Sequence, residues 1–328
     1  MPTRTLLALS ALLLACGEDQ PDYSLGPPAD EVLAESGDGA ELKGDSFGTP
    51  TGTPPGTTRR LQLEHGAFPA SGNLPNVVAY LPARFDPSQP FGLVIYLHGW
   101  WNCADNVIRP KNGACLPGRA AHNAYNLANQ LEGSNKNAIL LVPELAFEQA
   151  SSDPGRLAEE GLFASLVDEA LTQLAPDIDS RTTWDVASVV VASHSGGYKA
   201  ASGIVSVGGL WIDELYLLDS FYGLEDTFDA WVEDDLAGFA AAPPEVPTRR
   251  LACVYSKTGG TLSRCQAMAT RLSELTDSGL LDDRTSATLT TAQYGHGLLF
   301  KRTGLSHDDV ARYYFGRLLA TSTLPALP

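Results

Sequence analysis

From residue 59 onward the chain alternates between short apolar runs and longer segments with apolar residues every three or four positions. The near-continuous apolar runs predict strands covered on both faces, at 92–99, 138–143, 186–193, 214–220 and 250–256. The longer segments predict helices, at about 118–132, 156–174, 196 onward, 226–239, 262–277 and 307–320. This succession predicts an α/β fold over 59–328, with a mostly parallel sheet wrapped by helices on both faces.

Three further runs complete the predicted sheet. The segments 59–66 and 76–82 show period-two alternation, which predicts an initial antiparallel pair. The segment 286–293, "SATLTTAQ", is predicted as the last strand. The sheet would then have eight strands in a single domain.

The first sixteen residues have the layout of an export signal. Arg4 precedes an apolar run, 6–15, that is too short to span a bilayer. The run ends in Ala15-Cys16, and "LLAC" resembles the lipobox of a bacterial lipoprotein signal peptide. The resemblance implies lipidation at Cys16 and an exported protein anchored in the cell envelope, on the periplasmic side or at the surface. Ordinary cleavage nearby and a plain N-terminal helix remain the alternatives.

Residues 17–58 are rich in Gly, Pro, Thr and acids, with nine acidic residues against one lysine. Such a segment buries too little apolar surface to offset its ordering entropy, so we predict a disordered tether. The whole chain carries a formal charge of −17, which makes nucleic acid an unsuitable partner because phosphate binding needs clustered Lys and Arg.

Apart from Cys16, the four cysteines form two local pairs, Cys103 with Cys115 and Cys253 with Cys265. In an oxidising compartment we expect these two disulfides, although four cysteines allow three connectivities. Four free buried thiols are the alternative. The chain has no Cys-x-x-Cys or His-x-x-x-His spacing, so no metal site is predicted.

The strand predicted at 186–193 runs directly into a sharp turn, His194-Ser195-Gly196-Gly197, and then into a helical segment. A serine on such a turn, together with the order of strands and helices, resembles the nucleophile elbow of the α/β-hydrolase superfamily. Nearly all of 59–328 shares this resemblance. The usual Gly-x-Ser-x-Gly begins here with Ser193, which is still small. The resemblance implies that Ser195 is a nucleophile, whereas Ser193 and His194 are expected to be structural.

The same resemblance implies an oxyanion hole. The "YLHGWWN" segment follows the third strand, and His98-Gly99 is similar to the His-Gly turn of the family. The backbone N–H groups of Trp100 and Gly196 are the expected donors, with Trp101 as the second choice at the first position. A disulfide between Cys103 and Cys115 would stiffen this loop.

The family order of serine, acid and histidine places the base near the C-terminus, which leaves His307 and His296. A histidine in the loop before the last helix favours His307, although Ser306-His307-Asp308-Asp309 is also a typical helix start. No acid follows the seventh strand in "VYSKTGGT", which departs from the common pattern. Some members carry the acid after the sixth strand, where this chain has Asp219, with Glu225 and Asp226 as alternatives.

These residues predict a serine hydrolase without a cofactor, acting most readily on carboxylic esters of small-molecule or acyl substrates. An amidase or peptidase with the same triad is the first alternative. A surface-binding lipoprotein that has lost the chemistry is the second, and the altered elbow would support it. The segment 224–250, with Phe228, Trp231 and Phe239, is expected to overhang the site.

Overall fold

The computed structural model describes residues 52–70, 72, 74–240, 247–256, 259–276, 279–285 and 289–328. The predicted signal peptide, Cys16 and all but the last seven residues of the predicted tether lie outside these ranges. Among the described helices, none has the length and apolar character needed to cross a bilayer.

The described residues form one large sheet of nine strands. We number them β1 to β9 in chain order: Thr57–Leu61, Val77–Leu81, Phe91–Leu97, Ala138–Pro143, Val186–His194, Glu214–Leu218, Arg250–Ser256, Gly279–Asp282 and Leu298–Thr303. Their spatial order is β1-β2-β4-β3-β5-β6-β7-β9-β8. The pairs β1/β2 and β2/β4 are antiparallel, and every other pair is parallel. The predicted initial antiparallel pair and mostly parallel sheet are therefore confirmed.

The nine helices assigned in the described ranges are numbered α1 to α9. They are Ala104–Ile108, Leu127–Ser134, Leu162–Leu174, Tyr198–Val207, Glu225–Glu233, Leu236–Phe239, Gly260–Leu275, Thr291–Tyr294 and His307–Ala320. A single 3-10 turn, Ser195–Gly197, connects β5 to α4. A two-residue ladder joins Gly113–Ala114 to Ala121–His122.

The central strands are buried on both faces because successive side chains point to opposite sides of the sheet. In β3, Leu93, Ile95 and Leu97 belong to one hydrophobic cluster, and Val94 and Tyr96 belong to the other. This is why the central strands have no polar alternation. The two clusters hold helices against the two faces and leave the carboxyl ends of the parallel strands for polar residues.

The predicted last strand at 286–293 is wrong. Within its described part, Thr291–Tyr294 is the helix α8, and the strand on that side of the sheet is β9 at Leu298–Thr303. Thr290 and Gln293 form a capping box, so the local hydrogen bonds favour a helix over the strand that the alternating threonines indicate. The prediction also missed β8, so the sheet has nine strands where eight were expected.

Other boundaries differ by smaller amounts. β1 begins at Thr57, two residues inside the predicted tether. The helix predicted at about 118–132 is shorter, Leu127–Ser134, because part of the region is taken up by the two-residue ladder. The helix predicted at 307–320 is found with those bounds.

The aromatic residues of the segment 224–250 do not overhang the site. Phe228, Trp231 and Phe239 are 0%, 8% and 1% exposed and belong to the core cluster on one face of the sheet. The apolar side chains of α5 and α6 face the core because burial of large rings is strongly favourable. The expectation that these three residues overhang the site is therefore wrong.

Both local cysteine pairs lie at bonding distance. Cys103 and Cys115 have Cα atoms 6.0 Å apart, and Cys253 and Cys265 have Cα atoms 6.3 Å apart. The first pair links the residue before α1 to the small ladder, and the second links β7 to α7.

Candidate active site

Ser195 lies on the turn between β5 and α4 with a backbone φ of 52°. Positive φ is uncommon for a residue with a Cβ atom, and such strain is concentrated at functional sites. Ser195 is buried, with 8% of its surface exposed. The strained turn lifts the serine from the carboxyl end of β5, in the manner of a nucleophile elbow.

Two glycines allow the loop after β3 and the serine turn to lie close together. A Cβ atom on Gly99 would lie 2.5 Å from the Cβ atom of Ser195, and one on Gly197 would lie 2.5 Å from the carbonyl oxygen of Leu97. Real Cβ atoms do not approach so closely. The loop after β3 is therefore in van der Waals contact with the turn that carries the serine.

His307 and Asp219 meet beside this turn. The Nδ1 atom of His307 donates to Oδ2 of Asp219 at 2.8 Å. Asp219 directly follows β6, and His307 opens α9 just after β9, so both lie at the carboxyl edge of the parallel strands. The structure thus brings together the acid and base that the sequence predicts.

Asp219 is 2% exposed and also has a positive φ of 45°. Its Oδ1 atom accepts hydrogen bonds from the backbone N–H of Ser256 at 3.2 Å and from the hydroxyl of Thr261. Burial raises the pKa of this carboxyl group, but the hydrogen bonds and charge of His307 outweigh burial, and the net pKa is lowered. Asp219 is therefore ionised at neutral pH.

The pKa of His307 is shifted in the opposite direction to that of Asp219. Burial lowers its pKa, but the hydrogen bond and charge of Asp219 more than offset this, so the net pKa is raised above 6.5. An imidazole that gains basicity from a buried carboxylate suits proton transfer near neutral pH.

The two candidate tryptophans in the loop after β3 differ in whether their backbone N–H group already donates a hydrogen bond. The backbone N–H of Trp101 donates to the carbonyl oxygen of Gln149 at 3.0 Å, so it is already used. No described residue accepts a hydrogen bond from the backbone N–H of Trp100. The indole of Trp100 lies over Gly196, where an added Cβ atom would be 2.6 Å away, and its Nε1 donates to Ser152 at 2.8 Å. Trp100 therefore remains the expected donor, and the second choice, Trp101, is excluded.

A buried pair fixes the start of this loop. The Nε2 atom of His98 lies 2.8 Å from Oε1 of Glu144, and its Nδ1 lies 2.9 Å from the carbonyl oxygen of Gly99. The other carboxylate oxygen of Glu144 accepts from the backbone N–H of Ala104 at 3.1 Å. The loop is thereby tied at both ends to the residue that follows β4.

The other candidates have different positions. His296 precedes β9, so it lies at the amino end of that strand, on the edge of the sheet opposite Asp219. Ser193 is fully buried within β5, and its hydroxyl has no partner among the described residues. Glu225 forms an ion pair with Arg264 at 2.8 Å. Of the two candidate histidines, both within the described ranges, His307 is the one that contacts Asp219.

Sequence reasoning missed several residues that hold the site together. Thr261 supports Asp219, Glu144 supports the loop after β3, and the hydroxyl of Ser220 donates to the carbonyl oxygen of Ser195 at 2.9 Å. Glu144 follows a predicted strand directly, which is a usable signal. For Thr261 and Ser220 no pattern in the sequence indicates the partner.

The arrangement has the parts of a nucleophilic site: a strained serine, a histidine oriented by a buried carboxylate, and backbone N–H groups in the adjoining loop and turn. Across the described ranges, no group of three or more His, Cys, Asp or Glu side chains is placed to hold a metal ion.

Comparison with known proteins finds no matching family model and no curated protein that matches in sequence. The fold resembles solved structures. One is a serine-to-alanine mutant of the feruloyl esterase module from Clostridium thermocellum complexed with sinapinate, at 11% identity and a TM-score of 0.53, over 84% of this chain and 91% of that one.

A second, described as the structure of FAE, has 12% identity and a TM-score of 0.50 with the same coverage. At these identities the likeness concerns the fold alone. The strand order, the crossovers and these similarities together show that this chain has the α/β-hydrolase fold.

Proposed function

We propose that this chain is an exported serine hydrolase that cleaves carboxylic esters through an acyl-enzyme. The observation that carries the proposal is the hydrogen bond from His307 to the buried Asp219, on the same sheet edge as the strained Ser195. A purely structural elbow would not need a buried, charged carboxylate aimed at an imidazole, because burying such a group is costly.

In this mechanism the hydroxyl of Ser195 attacks the ester carbonyl, and Nε2 of His307 accepts the hydroxyl proton. Asp219 keeps the other ring proton on Nδ1 and stabilises the imidazolium that forms. The N–H groups of Trp100 and Gly196 stabilise the oxyanion. The imidazolium then protonates the leaving alcohol, and water, deprotonated by His307, releases the acid and regenerates Ser195.

Labelling by a fluorophosphonate probe tests the nucleophile directly. We expect the full chain to be labelled in the wild type and in Ser193→Ala. We expect no labelling in Ser195→Ala. Ser193→Ala is a matched control because it removes a buried hydroxyl two residues before Ser195, at the end of β5. A folded wild type that is never labelled would contradict the proposal and support a binding role.

Substrate profiling tests the ester assignment. The ring of Tyr222 lies 6.3 Å from that of His307 and 6.1 Å from that of Tyr198, and the indole of Trp100 lies over Gly196, the residue after the serine. Aromatic side chains around the base suit an aromatic acyl group. A panel should pair acetyl with hydroxycinnamoyl esters, and each ester with its amide. Turnover of the amides at rates equal to the esters would favour the amidase alternative.

Lipid anchoring at Cys16 is part of the proposal. It rests on the "LLAC" sequence and on two cysteine pairs that suit an oxidising compartment. Expression with an alkyne-tagged fatty acid in a bacterial host should label the wild type and not Cys16→Ser. Equal labelling of both would overturn the anchoring.

A further inference from the structure

His194, the residue before the nucleophile, contacts the base in two ways. Its ring centroid lies 4.5 Å from that of His307. Its Nε2 atom lies 3.1 Å from the main-chain oxygen of His307, which has no hydrogen to donate, so Nε2 carries the proton of this hydrogen bond. His194 is 1% exposed, so the contact is shielded from water.

The other ring nitrogen of His194 belongs to a buried polar chain. The hydroxyl of Tyr125 donates to Oδ1 of Asp308 at 3.0 Å, and its oxygen lies 3.2 Å from Nδ1 of His194. The amide of Asn123 donates to the second oxygen of Asp308. The rings of Tyr125 and His194 meet edge to face, with centroids 4.9 Å apart. The ring of His194 is therefore held between the ring of Tyr125 and the main chain of His307.

This arrangement also holds His194 neutral. Burial, and after it the charge of His307, lower the pKa of His194 to about 4, although the charge of Asp308 acts to raise it. Two imidazoles in contact cannot both carry a charge cheaply. A neutral His194 leaves His307 free to become the imidazolium during proton transfer.

We propose that His194 is a positioning residue for His307, with its tautomer set by the main-chain oxygen of His307 and its ring oriented by contact with Tyr125. The inference rests on the proposed function, in which His307 is the base. Asp219 fixes the ring of His307, and His194 fixes its main chain at the first residue of α9. A displacement of about 1 Å at a catalytic group can cost on the order of 100-fold in rate, so a second anchor on the base has kinetic consequences.

Two substitutions of similar size separate positioning from packing. His194→Gln can place a side-chain N–H near the position of Nε2, whereas His194→Met fills similar space without a donor. We expect His194→Met to lower kcat for a small ester by about tenfold or more with KM nearly unchanged, and His194→Gln to stay within about threefold of the wild type. Equal kcat values for the two variants would overturn the proposal.

Tyr125→Phe keeps the experiment informative if His194→Met does not fold. It removes the hydroxyl that links His194 to Asp308 and keeps the ring that packs on His194. We expect a lowered kcat with KM nearly unchanged, and an acid limb of the rate profile that is displaced from that of the wild type. A kcat and a profile equal to those of the wild type would count against the proposal.

A measurement without turnover distinguishes this inference from the proposed function. In protein labelled with ¹⁵N-histidine, the Nδ1 proton of His307 that is shared with Asp219 reports the position of the ring. We expect its resonance to be kept in His194→Gln and to be shifted or broadened in His194→Met. If the two variants differ in this way but the wild type has no esterase activity, the hold on His307 is supported and the proposed function is refuted. An unchanged resonance in an active enzyme, with unchanged kcat, would refute the hold alone.

Discussion

The Nδ1 atom of His307 and the Oδ2 atom of Asp219 lie 2.8 Å apart, although 88 residues separate them in the chain. The parallel strands β6 and β9 end at the same edge of the sheet, with β7 between them. Asp219 follows the first and His307 the second, so the sheet sets their separation. The pair determines how the site should respond to pH.

Substitution of Asp219 by Asn should lower kcat/KM by about 10³ to 10⁴-fold, because the imidazole loses its charge partner and its fixed tautomer. The rate depends on neutral His307, so it rises as pH increases through the pKa of this residue. Asp219 raises that pKa, so the acid limb of the wild type should lie above pH 6.5, and in Asp219→Asn it should move to lower pH. A pH–rate profile measures both effects.

Asp226→Asn is the matched control, because Asp226 is an exposed acid at the start of α5. Its profile should overlie that of the wild type. An acid limb that stays in place in Asp219→Asn would show that Asp219 does not control the base.

Substitution of Gly99 by Ala should displace the nucleophile, because the added methyl group would lie 2.5 Å from the Cβ atom of Ser195. Ser195 lies on the sharp turn between β5 and α4, and Gly99 lies in the loop directly after β3. We expect a loss of on the order of 100-fold in kcat and in the rate of probe labelling.

Gly279→Ala provides the comparison, since the nearest atom to its added methyl group is an ordinary 3.9 Å away. This variant should label at the rate of the wild type. Fast labelling of Gly99→Ala would mean that the loop after β3 moves aside without affecting the serine.

Removal of the disulfide between Cys103 and Cys115 should destabilise the fold. The bridge spans 12 residues, and a loop of this length contributes about 3 kcal/mol to the free energy of unfolding. The double variant Cys103→Ser, Cys115→Ser avoids a free thiol. Its urea midpoint, measured without reductant, should fall below that of the wild type. An unchanged midpoint would show that the bridge does not stabilise the fold by restricting the unfolded chain.

Arg250 and Glu214 form a buried ion pair at 2.8 Å, with side chains 1% and 0% exposed. Arg250 also donates to the main-chain oxygen of Thr321 at 3.0 Å, which ties β7 to the end of α9. Arg250→Met would leave the carboxylate of Glu214 buried without its partner, at a cost of about 3 to 5 kcal/mol.

The double variant Arg250→Met, Glu214→Gln should recover part of this loss, because no charge then remains unpaired. Urea denaturation of the two variants and the wild type measures the difference. A double variant less stable than Arg250→Met would show that the carboxylate of Glu214 stabilises the fold without its partner.

The sequence pattern was sufficient to predict a strand, turn or helix wherever the residues of that segment alone favour it. The run from Val189 into Ser195 predicts a buried strand and a sharp turn, because apolar continuity and adjacent glycines are properties of the segment itself. The last helix was predicted with its observed bounds for the same reason. The error at 286–293 arose because alternating threonines were weighted above the capping box of Thr290 and Gln293.

That error left His296 as an alternative to His307, because both histidines followed the strand predicted at 286–293. With the last strand at 298–303, His296 lies at its amino end, and only His307 lies at the edge where Asp219 is found. Strand β8 escaped prediction because a four-residue edge strand is defined by its pairing with β9, which no local pattern reveals.

The sequence by itself determined the sheet of alternating strands and helices, the serine turn, and the segments that carry Asp219 and His307, because periodicity and turn residues act over a few neighbours. Only the tertiary structure decided which acid meets which histidine, which tryptophan N–H is free of a described partner, and that His194 contacts His307. Those outcomes depend on contacts between residues tens to more than a hundred positions apart, which the packing of the sheet alone brings together.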